Sequence, residues 1–199
     1  MGEQHKKHNR REHLNDFHLN VAGEYVYDGA LYACQSDDTK QRRSKRAVWG
    51  MAAILTVAVI AGGCIPAPGM QNCFYVLLPY LGEFLGAASV IWALAKLGTD
   101  WSTVREYNYK KSVAVLPVRT AVTAVFSLLG VVCELIFFFV NDHAGQTFFA
   151  LLYVLLKLIA LLSVLVLRAE IMQAEWGELP KKIIPKILLC TIFIFSCYN

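Results

Sequence analysis

The chain has 199 residues, 56% of them hydrophobic and only 17% charged, with a mean hydropathy of +0.45. Soluble domains run near half apolar and a quarter charged, so this balance excludes an ordinary water-soluble globule and points to a membrane protein. The formal net charge is +4, and nine of the 19 Lys and Arg residues precede the first apolar run, an asymmetry that bears on orientation in a bilayer before it bears on nucleic acid.

Residues 1–46 read as a basic cytoplasmic arm. Its opening, MGEQHKKHNRREHLNDF, is polar, and the first apolar run starts near residue 47, too late for a cleavable signal peptide. Lys6 stands where N-myristoylation needs Ser or Thr. His5, His8, His13 and His18 crowd the start, but their spacing fixes no coordination geometry; the tract reads as a solvated tail and no metal is expected. Residues 24–34, EYVYDGALYAC, put β-formers on both sides of Asp28-Gly29. That pattern predicts a short hairpin on a type I′ turn, its tyrosines Tyr25, Tyr27 and Tyr32 leaning on the membrane interface, the neighbouring loops or a partner protein.

The run Lys40, Arg42, Arg43, Lys45, Arg46 lies directly before the first apolar stretch. It reads as the positive-inside signal and, secondarily, as an attraction for anionic headgroups, at about 1 kcal/mol per basic residue. Without the aromatic interleaving of a recognition module, it gives no reason to expect a nucleic-acid partner.

Four apolar runs follow, near 47–64, 74–96, 113–140 and 147–168, each suited in length to a bilayer core of about 30 Å. An all-α, four-helix transmembrane bundle is therefore expected over 47–168. Residues 169–199 read as a cytoplasmic helix extension, with Trp176 as an interfacial anchor, and a hydrophobic tail. Within that tail, 183–198 carries Pro185 and Lys186 and either spans as a fifth helix or lies in the interface. Loops 64–73 and 141–146 contain no Lys or Arg, whereas 96–112 has four. The alternation places the N-terminus in the cytoplasm of a multi-pass protein of the cell membrane. Cys64 and Cys73 bracket the first outer loop, where an oxidising side permits a disulfide; otherwise they are small thiols at helix ends.

Three ionisable residues stand deep in these runs. At the rise of an α-helix, Glu83 and Lys157 each lie about 14 to 15 Å inside the outer ends of their spans, and Glu134 about 9 Å inside its own. Charges at such depth face the bundle interior and pair, whereas Arg119, nearer the opposite surface, can reach the headgroups unaided. The faces agree: Glu83 shares a side with Pro79, Gly86 and Ala87, and Lys157 with Ala150, Tyr153, Ala160 and Val164. Thr120, Thr123, Ser127, Gly130 and Glu134 form one small-and-polar stripe.

Glu83 and Lys157 are thus expected to meet at the midplane, with Glu134 about one turn nearer the outside. The cluster either lines a polar path, or fixes helix register, or awaits a charged partner subunit. No GxSxG, HExxH, phosphate loop or CxxC occurs, so neither a catalytic residue nor a cofactor is expected. The leading reading is a non-enzymatic accessory or assembly subunit of a membrane complex, with a protein partner or as a homo-oligomer. The alternatives are a small oligomeric transporter or channel using Glu83, Lys157 and Glu134, and a membrane thiol-redox protein using Cys64 and Cys73.

Overall fold

In lipid a backbone must satisfy its own hydrogen bonds, and long apolar runs do so by becoming helices. The computed structural model describes residues 17–19, 25–27, 29–98, 101–140 and 147–179. In chain order it has strands β1 (Phe17–Leu19), β2 (Tyr25–Tyr27) and β3 (Leu31–Cys34), then helices α1 (Asp38–Cys64), α2 (Pro68–Asn72) and α3 (Phe74–Leu97). Strand β4 (Val104–Arg105), helices α4 (Glu106–Lys111), α5 (Leu116–Val140) and α6 (Thr147–Gln173), and strand β5 (Trp176–Glu178) follow. The fold is mostly helical, and α1, α3, α5 (with α4 leading into it) and α6 are long and apolar enough to cross a membrane. The tail segment 183–198 lies outside the described residues.

Helix ends follow local chemistry. α1 begins at Asp38, well before the expected 47, because the basic run is made of good helix formers and an acidic first turn suits the helix dipole. The expected third span loses its first residues to a turn over 112–115. α5 then starts at Leu116, with Pro117 in its first turn, where a missing N–H is harmless. The loop between α1 and α3 contains the extra helix α2, opened by Pro68.

Each long helix packs against two others: α1 on α3 and α6, and α5 on α3 and α6. The order around the bundle is therefore α1, α3, α5, α6, with α3 and α6 diagonally opposed and the α1–α3 seam the thinnest. The surface inverts that of a soluble protein. Val57, Phe74, Leu85, Trp92, Val118 and Leu162 are exposed, while Glu83, Thr120, Thr123, Ser127, Glu134 and Lys157 are buried. Between them pack two apolar layers, one around Leu55, Val59, Ala87 and Val164, the other around Val48, Val90, Leu94 and Leu167.

The expected hairpin over 24–34 is not formed. β2 pairs with β1, Phe17 opposite Tyr27, whereas β3 is the centre of a separate antiparallel sheet between β4 and β5. A type I′ turn needs positive φ at both central residues, and among the described residues Gly98 is the glycine that has it; Gly29 does not. Both edges of β3 are instead taken by segments leaving α3 and α6, with Cys34 opposite Trp176 and Leu31 opposite Arg105. The expected helix extension past 168 reaches only Gln173, and Trp176 is a strand residue beyond it, its ring 5.7 Å from Trp101 and 5.9 Å from Tyr109. Tyr32 stacks on Tyr109 at 4.2 Å, so this tyrosine leans on α4, in the connection between α3 and α5. The sheet gathers the start of α1 and the ends of α3 and α6 at one end of the bundle, called here the sheet end.

Candidate functional site: a polar layer inside the bundle

α3 and α5 can approach closely because Gly86 has no side chain: a Cβ there would lie 2.5 Å from Thr123 Oγ1 and 3.3 Å from its Cα. That approach turns Glu83 and Ser127 toward one another, and Ser127 Oγ donates to Glu83 Oε1. From the diagonally opposite helix, Lys157 Nζ donates to Glu83 Oε2. Glu83 and Ser127 are fully buried and Lys157 is 2% exposed, so both carboxylate oxygens are engaged away from solvent. The rings of Tyr80 and Tyr153 flank the ammonium, their centroids 4.6 and 5.2 Å from Nζ, and add cation–π attraction. Tyr80 is itself tied to α1 by its hydroxyl, which donates to Val59 O at 3.3 Å. The lysine stem runs alongside Gly130 of α5, where a Cβ would stand in ordinary contact, 3.6 Å from Lys157 Cε.

Glu134, one turn along α5 from Gly130, does not join the pair. It is fully buried, yet neither carboxylate oxygen has a hydrogen-bond partner among the described residues. The Gly69 backbone of α2 closes over it, so tightly that a Cβ on Gly69 would collide with Oε2 and reach Phe137 Cδ1 at 3.0 Å. The Gly69 amide approaches without meeting hydrogen-bond geometry. The Tyr153 hydroxyl is likewise buried and unpartnered.

The remaining residues singled out from sequence lie apart. Lys40, Arg42, Arg43 and Arg46 are exposed on the first turns of α1, while Lys45 is half-buried with Nζ 5.8 Å from the Trp101 ring centroid. Cys64, exposed at the end of α1, and Cys73, half-buried before α3, are both free thiols. Arg119 corrects the expectation that it needs no protein partner: its guanidinium donates to Ser89 O on α3 at 2.7 Å. Arg168 similarly donates to Pro117 O. Among the described residues no group of three or more His, Cys, Asp or Glu side chains could hold a metal ion.

Sequence reasoning missed the ring of Tyr80 and the donor role of Ser127. The signals were present, since Tyr80 stands three residues before Glu83 and Ser127 lies on the polar stripe of α5. The layer as built neutralises and orients buried charges. Compared with known proteins, the chain matches no protein-family model, no curated protein and no solved structure.

Proposed function

We propose that this is a multi-pass integral protein of the cell membrane, its N-terminal arm cytoplasmic, acting as a non-enzymatic accessory or assembly subunit of a membrane complex. The observation that carries the reading is the closed Glu83–Lys157 pair. An unpaired charge at the bilayer centre costs from about 3 kcal/mol upward, so a carboxylate and an ammonium are tolerated there only together. Lys157 and Ser127 each engage one oxygen of Glu83, the rings of two tyrosines flank the ammonium, and both charged groups are buried, so the pair is enclosed by the bundle. Such a pair joins diagonal helices and fixes their register. What remains for partners is the sheet end, with its exposed basic helix start beside aromatic side chains, chemistry suited to anionic headgroups and to another protein.

Removing one partner of a buried pair costs about 3 to 5 kcal/mol, whereas removing both can be nearly neutral. Glu83→Gln and Lys157→Met are therefore each expected to lower membrane abundance sharply, and the double variant to recover most of it. A double variant no better than either single one would sink the register role. In mild detergent the full chain is expected to elute as an assembly larger than one protomer; a monodisperse single chain would refute the subunit reading.

A further inference from the structure

The buried polar layer holds two carboxylates and one ammonium. Lys157 is committed to Glu83, and Arg119 and Arg168 are engaged with the carbonyls of Ser89 and Pro117. Glu134 remains as a second carboxylate, fully buried, with neither oxygen hydrogen-bonded among the described residues, within electrostatic reach of Lys157 but outside ion-pair contact. With all three groups ionised the layer carries one net negative charge. A desolvated carboxylate in that position is strongly unfavourable unless something supplies the missing positive charge.

We infer that Glu134, with the Tyr153 hydroxyl on the facing helix, forms a binding site for one monovalent cation, a proton or an alkali ion, inside the bundle. Every group around it is consistent with a single added charge. Among the described residues α6 contributes Lys157 and Tyr153, α3 contributes Glu83, Tyr75 and Tyr80, the turn before α3 contributes the Cys73 thiol beside Tyr75, and α5 itself adds the Cys133 thiol. α2, whose Gly69 lies over the carboxylate, has no titratable side chain at all. A divalent ion would overshoot the balance and find too few oxygens. A proton on Glu134 converts an orphaned acceptor into a donor, and an alkali ion would take the carboxylate and phenolic oxygens as ligands. The absent side chain at Gly69 is what lets α2 close over the site.

The inference rests on the membrane placement proposed above, because lipid on the outer faces is what makes the charge imbalance unsustainable. The test is labelling of the full-length protein, in detergent or in vesicles, with dicyclohexylcarbodiimide, which converts a protonated carboxyl in apolar surroundings into a stable N-acylurea. Peptide mass spectrometry should find the adduct on Glu134 and not on Glu83. Suppression by added sodium or potassium chloride at fixed pH identifies an alkali ion; indifference to both salts, with labelling lost as pH rises, identifies a proton. In the fraction of Glu83→Gln protein that still reaches the membrane, Lys157 is left free to neutralise Glu134, so the adduct per mole of purified protein should fall to background. A folded wild-type protein unlabelled at Glu134 at every pH, or equal labelling in the Glu83→Gln variant, overturns the site. Glu134→Gln, a neutral isostere, should keep the thermal midpoint of the wild type; a drop as large as that of Glu83→Gln would show that an unneutralised carboxylate is required and would also overturn it. Partition of the protein into the soluble fraction would defeat the membrane reading before any labelling, so the two failures are distinguishable.

Discussion

Ser127 shows how little covalent material a buried charge needs. Its hydroxyl donates to Glu83 Oε1, the oxygen that Lys157 does not take. A hydrogen bond to a charged group contributes roughly 1.5 to 3 kcal/mol, so Ser127→Ala is expected to lower stability by about that amount in thermal unfolding in detergent. A variant indistinguishable from wild type would mean that the lysine alone satisfies the carboxylate. At this scale much was legible: depth and helix face, counted residue by residue, direct Glu83 and Lys157 to the same interior level. The fate of Glu134 was not, because its isolation depends on where α2 folds back, and α2 lies in a stretch with no periodicity to read.

Close helix approach is an element-scale property, and two glycines distinguish it from mere helix composition. Gly86 has Thr123 backbone within 3.3 Å of where a Cβ would stand, whereas Gly50 has nothing within 4 Å. Gly86→Ala is therefore expected to destabilise by about 1 to 3 kcal/mol through overpacking, and Gly50→Ala to be neutral or stabilising by up to about 1 kcal/mol, since alanine favours the helix. Detergent thermal shifts of opposite sign would check the pair; equal shifts would contradict the seam geometry. The four long helices were legible because lipid demands length and apolarity together, signals that survive without knowledge of tertiary contacts. The sheet was not. β3 reads locally as half of a hairpin, yet its partners lie near residues 105 and 177, and non-local pairing of strands two to four residues long leaves no period in the chain. The same blindness applies to the start of α1, where a run read for its charge turned out to be helix as well.

For the whole molecule, the ring order α1, α3, α5, α6 decides which ends share a side. The sheet end carries the basic run, and Cys64 stands exposed at the opposite end. If the basic run is cytoplasmic, as proposed, a membrane-impermeant maleimide added to intact cells should label Cys64 in a Cys73→Ser background, with the label lost when Cys64→Ser is added. Labelling of Cys64 only after permeabilisation would reverse the orientation. The diagonal placement of α3 and α6 could not be read from charge depth, which fixes a level in the bilayer but not a position around the ring. It has a temporal consequence. Glu83 and Lys157 are 74 residues apart, so at about 5 to 20 residues per second the ribosome delivers the lysine some 4 to 15 s after the carboxylate. During that interval the nascent chain holds an acid with no base, and α1 has been made without α6, against which it packs far more extensively than against α3. On the membrane placement proposed above, a chain released before Lys157 emerges leaves Glu83 without its ammonium, so the order of synthesis makes the last long helix the one that completes the buried pair.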